Sequence, residues 1–257
     1  MRIIAGLLIL ALAGSAGAAV KTKEIEYEHD GTKLKGVLAF DDAATGKRPG
    51  VLVFHEWWGL NDYAKMRAQQ LAEMGYVAFA ADMYGAGKVT EHPKEAGKMA
   101  QEVRMNRELW LGRAQAALKV LQEQPQVDKD RIAAIGYCFG GTTALVLAAS
   151  GAPLKAVATF HAGLPELKPE EAKKVQARLL INNGADDSFV SKESIEKFKA
   201  ALDAAGVKYE FVNHPGAVHS FTVKGADAHA IKGMAYNEAA DKKSWQAMQT
   251  LFRETLK

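Results

Sequence analysis

Residues 135–141 read IGYCFGG. Cys138 is the only cysteine in 257 residues, with glycine at 136, 140 and 141. The preceding residues 131–137, RIAAIGY, form the short, nearly continuous apolar run of a strand buried on both faces. Residues 140–150, GGTTALVLAAS, suit a helix built of small side chains. A strand that passes directly into a helix through G-x-C-x-G is a nucleophile elbow, with cysteine where serine is usual. The turn is sharp enough to strain its tip residue. Strand and helix pass so closely that side chains at positions −2 and +2 would collide, and glycine at both removes the collision. The tip stands above the carboxyl ends of the strands. The backbone N–H of Phe139, at the helix start, lies beside it and can hold an oxyanion.

Outward from the elbow, the chain alternates. Residues 23–40 are two alternating runs around Asp30-Gly31, a hairpin signal. GVLVFHE (50–56), YVAFAAD (76–82), KAVATFH (155–161), ARLLINNG (177–184) and VKYEFVNHP (207–215) read as further strands. Helical spacing fills 62–75, a long stretch from about 93 to 124, 191–206 with a Gly206 stop, and 237–257. Alternation of this kind predicts an α/β fold: an open, mainly parallel sheet with helices on both faces and an N-terminal hairpin. No linker divides residues 20–257, so one domain is expected.

Residues 1–19 differ. Arg2 is followed by an apolar run from Ile3 to Ala13 and then by small residues to Ala19. This is the layout of a secretory signal peptide, too short to span a bilayer comfortably. A secreted or periplasmic protein with no membrane span after cleavage is expected. Net charge is +3, with both signs mixed along the chain, which argues against a nucleic-acid partner. Neither HExxH nor CxxC spacing occurs, so no metal is expected, nor any other cofactor. A monomer is expected.

A lone cysteine in an exported chain cannot close an internal disulfide. It is either apolar filler or a reactive thiol. Its place in the elbow favours the second. A free thiol has a pKa of about 8.5 and needs a base. Elbow enzymes order their triad as nucleophile, acid, histidine. NNGADDSFV (182–190) and HPGAVHSF (214–221) each follow a strand. His219 lies in the second loop and is the expected base, whereas His214, at the strand end before Pro215, suits a structural role. The first loop offers Asp187 and Asp186. Asp187 is favoured by the G-x-x-D-x-x-V spacing.

Taken with VFHEWWGLND (53–62), AADMYG (80–85), GYCFGG (136–141), GADDSFV (184–190) and HPGAVHSF (214–221), the mature chain resembles the dienelactone hydrolase family of α/β-hydrolases. The resemblance implies a Cys138–Asp187–His219 triad that cleaves carboxylic esters or lactones through an acyl-thioester. It implies that Glu56 gates the resting thiol and that the Trp57 N–H joins the Phe139 N–H in the oxyanion hole. His55 reads as an ordinary strand-end residue. Dienelactone-cleaving members hold the substrate carboxylate with arginines at two places, one in a loop that reads Met83-Tyr84-Gly85-Ala86 here and one that is Val223 here. With Trp57, Trp58 and Tyr84 nearby, an aromatic substrate pocket is expected around Trp58 and Tyr84, with Lys88 or Lys224 as stand-in cations. Two other classes fit the same residues: a catalytically silent exported binding protein, and a redox-sensing thiol protein.

Overall fold

The computed structural model of the protein describes residues 20–257. The expected signal peptide lies outside them.

Two long strands, β1 (Val20–His29) and β2 (Thr32–Asp41), pair antiparallel through Asp30-Gly31. Both turn residues have positive φ, at 48° and 68°, as a two-residue hairpin turn with the right-handed twist of its strands demands. The rest of the sheet comprises β3 (Arg48–Phe54), β4 (Val77–Ala81), β5 (Val127–Tyr137), β6 (Ala156–Phe160), β7 (Arg178–Gly184) and β8 (Tyr209–His214). The order is β1-β2-β4-β3-β5-β6-β7-β8, parallel from β4 onward. The central strands carry Val, Leu, Ile, Phe and Ala on both faces because helices cover both sides. On one side α1 (Asp62–Glu73) and α7 (Glu238–Thr255) pack against Val51, Val53, Ile135 and Phe160. On the other, α2 (Pro93–Arg104), α3 (Arg107–Gln122), α4 (Phe139–Ala149) and α6 (Lys192–Ala205) pack against Leu52, Phe54, Phe79 and Ile181. A single-turn helix, α5 (Pro169–Ala172), precedes β7. Among the described residues, no helix is long and apolar enough to cross a membrane.

One expected element is different. The long helix of 93–124 is two helices, broken at Met105-Asn106. Asn106 has an extended backbone, and its side chain accepts the Leu109 N–H at 2.9 Å. An asparagine cap offers the backbone an alternative to continued helix, and apolar periodicity does not register it. The break turns the C-terminus of α2 and the N-terminus of α3 toward the end of the sheet that carries Cys138.

The elbow depends on its glycines. A Cβ on Gly136 would lie 2.1 Å from the Gly140 carbonyl oxygen, and one on Gly140 would lie 2.2 Å from that of Phe54. Both obstacles are backbone, which cannot swing aside. Gly140→Ala should therefore cost about 2–3 kcal/mol or more. For a chain of this size that is a fall in melting temperature of roughly 5–10 °C, read by calorimetry. An unchanged melting temperature would show that β3 and α4 are not held this close.

Candidate active site

Cys138 links β5 to α4 with φ 51° and ψ −117°, a conformation costly for a non-glycine residue. Three of the six positive-φ non-glycine residues among the described residues gather here: Cys138, His161 and Ser220. The Cys138 N–H donates to the Phe160 carbonyl at 3.0 Å, and its own carbonyl accepts the Thr142 N–H at 3.2 Å. The tip is thus clamped by β6 on one side and by the first turn of α4 on the other.

The acid and histidine loops approach each other because Gly184 has no side chain: a Cβ there would lie 2.5 Å from the Ala217 carbonyl oxygen. The Asp186 N–H donates to that same carbonyl at 3.0 Å. Asp187 is buried, whereas Asp186 points to solvent. Asp187 Oδ2 lies 2.8 Å from His219 Nδ1, and its Oδ1 accepts the Phe189 N–H at 2.8 Å. Asp187, not Asp186, is therefore the carboxylate that orients His219. The bond at Nδ1 leaves Nε2 free to face the cavity that Cys138 and His219 both line. Burial alone would lower the His219 pKa. The neighbouring Cys138 sulfur and the Asp187 carboxylate outweigh burial and raise it to about 10.

The Phe139 N–H, at the first position of α4, and the Trp57 N–H, just after β3, have no acceptor among the described residues. The Tyr84 hydroxyl donates to the Trp57 carbonyl at 3.0 Å and so fixes the orientation of that segment. Two free donors on the loops after β3 and β5 are what an oxyanion hole requires.

Glu56 is buried and accepts the Ser220 hydroxyl on Oε1 at 2.9 Å. Among the described residues, neither of its oxygens is hydrogen-bonded to Cys138. In this conformation Glu56 is tied to Ser220. Burial raises its pKa, against the Ser220 hydrogen bond and the His219 charge. His55 is structural, accepting the Met83 N–H on Nε2 at 3.1 Å. His214 is structural too, bonded to Asn182 Oδ1 at 3.0 Å.

The cavity has a volume of about 540 Å³. Trp57, Trp110, Leu164, Phe189, Ile231 and Met234 supply its apolar wall. Trp58 and Tyr84, expected around the substrate, are not part of it. Trp58 is buried and stacks on His229 at 4.2 Å, lining a separate groove. Tyr84 is buried against His55 and Phe139. Adjacent positions on a strand-end loop point to different sides, so a run of aromatics in sequence does not become a cluster around one ligand. Lys88 and Lys224 do not reach the cavity either. Its cations are Arg104 and Arg107, delivered by the break between α2 and α3. Arg107 is paired with Glu171 at 2.7 Å. Arg104 has no hydrogen bond or ion pair among the described residues, and its guanidinium lies 5.4 Å from the centre of the Phe139 ring. Sequence reading missed both arginines because a continuous helix would have scattered them on its surface.

The strand order, the glycine-flanked elbow and the buried acid–histidine pair at the carboxyl ends of the parallel strands define an α/β-hydrolase. The model of the Dienelactone hydrolase family matches residues 34–256, and the chain belongs to that family, as a hydrolase acting on ester bonds. A Synechocystis protein bearing the name "Putative carboxymethylenebutenolidase" is 29% identical over 93% of this chain and 98% of its own length. The solved structure of a dienelactone hydrolase-like promiscuous phosphotriesterase from metagenomic libraries is 40% identical, covers 93% of this chain and 100% of that one, and superposes with a TM-score of 0.91. A further structure, m3DLH, is 44% identical over 93% of this chain and 100% of its own, also with a TM-score of 0.91.

Proposed function

We propose that the protein is an exported, cysteine-dependent hydrolase of carboxylic esters and lactones that carry an anionic group. The observation that carries this reading is the meeting of Cys138 with His219 in one cavity, while Asp187 holds His219 from behind. His219 Nε2 takes the proton from Cys138 Sγ, and the thiolate attacks the ester carbonyl carbon. The Phe139 and Trp57 N–H groups hold the oxyanion. Collapse of the tetrahedral adduct breaks the C–O bond, and the leaving alkoxide receives the proton from His219. Water, activated in turn by His219, attacks the thioester, releases the acid and restores the thiol. A histidine that favours its imidazolium form beside a sulfur is the partner a thiolate needs. Export rests on residues 1–19, with their single basic residue, short apolar run and small-residue end.

The anionic preference rests on Arg104. It is a cation on the cavity wall with no ion pair among the described residues, in a cavity that Glu166 also lines, and a guanidinium is the natural partner of a carboxylate. The name of the Synechocystis relative denotes a lactone with a carboxymethylene substituent, consistent with that choice. Phosphotriesters are a second substrate class worth assaying, on the 40% likeness to the metagenomic phosphotriesterase.

The chemistry is tested by mass spectrometry of enzyme quenched during p-nitrophenyl acetate hydrolysis. An acetyl group on Cys138 is expected. A burst with the acyl group elsewhere, or turnover with no adduct on any residue, would count against a cysteine nucleophile. The substrate class is tested with Arg104→Ala on p-nitrophenyl hemisuccinate and p-nitrophenyl butyrate. Loss of one charge-assisted hydrogen bond should lower kcat/KM for the anionic ester about 10- to 100-fold and leave the neutral ester within about twofold. An equal fall for both esters would mean that Arg104 only packs on Phe139.

A further inference from the structure

Behind the cavity lies a buried polar chain that the proposed chemistry does not use. His161 follows β6 with φ 42° and is fully buried. Its Nε2 lies 2.8 Å from Thr222 Oγ1. Thr222 Oγ1 accepts the Tyr63 hydroxyl at 2.7 Å, and the Tyr63 oxygen accepts Arg67 Nε–H at 3.1 Å. Arg67 ends the chain in an ion pair with Asp241 of α7. On the other side, His161 Nδ1 stands 3.9 Å from Glu56 Oε1. That is too long for a hydrogen bond. His161 Nδ1 and Glu56 Oε2 are both buried without a hydrogen-bond partner. Two such orphans on neighbouring side chains call for an explanation.

The directions of these bonds are determined by counting protons. Arginine can only donate, so the Tyr63 oxygen accepts from it and spends its single proton on Thr222. Thr222 Oγ1, already an acceptor, has its own proton left, and His161 Nε2 is beside it. A neutral His161 that accepts at Nε2 carries its proton on Nδ1. That N–H faces Glu56, whose Oε1 already receives the Ser220 hydroxyl.

We propose that His161 is a positioning residue for Glu56, and that Arg67, Tyr63, Thr222 and His161 form a one-way line of donors whose last N–H lies beside the Glu56 carboxyl and favours its ionised form. The inference rests on the reading of Cys138 as a thiolate nucleophile. At 3.9 Å the Nδ1–H acts on the carboxyl as a dipole and not through a hydrogen bond, and a dipole that favours the charged form lowers its pKa. The line thus counteracts the burial that pushes Glu56 up. An ionised Glu56 in turn favours the His219 imidazolium. The groups facing His161 are Glu56, Thr222, the His219 ring at 5.2 Å, the Tyr137 ring at 6.0 Å and, farther off, Arg67. Burial and the His219 charge keep His161 itself neutral. It therefore acts as a fixed donor rather than as a second titrating base.

The test is the rate of carboxamidomethylation of Cys138 by iodoacetamide, followed by mass spectrometry between about pH 4 and 9. Thr222→Val keeps the shape and removes the donor, and His161→Phe removes the last link. With the line cut, Glu56 takes a proton at higher pH and stops supporting the imidazolium. The acid limb of the alkylation profile should then move up by about one pH unit, a tenfold loss of rate on that limb, with the alkaline plateau of Thr222→Val unchanged. In a Glu56→Gln background the same Thr222→Val substitution should produce no shift. An unmoved limb, a uniform loss at every pH, or a shift of equal size in the Glu56→Gln background would each overturn the donor line. If His161→Phe does not fold, Thr222→Val alone decides. Absence of alkylation in the unmodified protein at every pH would overturn the thiolate reading itself, and the donor line with it.

Discussion

Cys138→Ala should lower ester turnover at least ~10³-fold and abolish both the p-nitrophenol burst and the acyl adduct. The size follows from what is lost. Without a sulfur at the elbow tip, the two-step acyl transfer reverts to direct attack by water. The oxyanion donors and the cavity remain, because alanine adopts the strained backbone of 138 with no new contact and the clamp from Phe160 is made by the main chain. Residual activity therefore reports binding and oxyanion stabilisation alone. Melting temperature should change little, which separates lost chemistry from lost fold. A fall of less than tenfold would sink the triad. Unchanged ligand binding with no turnover in either protein would favour a binding protein built on the same fold. Facile mixed disulfides without an acyl adduct would favour a redox thiol.

Asp187→Asn should be the next most damaging change, with about 10²- to 10⁴-fold lower kcat/KM. Asparagine keeps the shape and can still bond His219 Nδ1, but it supplies no charge. The carboxylate sets the tautomer that turns Nε2 toward Cys138, and it stabilises the imidazolium. In the folded protein the His219 pKa stands at about 10, above the ordinary 6.5. A raised histidine pKa contributes stability that is complete below the unfolded value and is lost as pH climbs through the folded one. Asp187→Asn should accordingly lower the melting temperature at neutral pH and have little effect above about pH 10. Asp186→Asn is the control. Its side chain is exposed and its backbone makes the contact to Ala217, so activity should stay within about twofold. A larger loss from Asp186→Asn than from Asp187→Asn would reassign the acid.

Legibility followed the range of the interactions. The elbow could be read because its constraint is local: Gly136, Cys138 and Gly140 lie within five residues, and a side chain at either glycine would strike backbone. The Asp187–His219 pair could be read because parallel strands deliver the loops after β7 and β8 to the same edge. The substrate wall could not. Met105-Asn106 breaks a periodicity that otherwise runs on, and this cap carries Arg104 and Arg107 to the cavity. Trp58 and Tyr84 are as aromatic as Trp57, but their side chains turn into other packing.

The amino-acid sequence by itself determined the order of the strands and of the helices outside residues 93–124, the elbow, and which residues could serve as thiol, base and acid. Those follow from backbone sterics and from hydrophobic period, which act over a few residues. Only the tertiary structure decided that Glu56 is held by Ser220, that Arg104 faces Cys138's cavity, and that His161 ends a line of donors from Arg67. Each joins groups far apart in the chain. In each case the direction of a side chain is set by what packs against it once the sheet has closed.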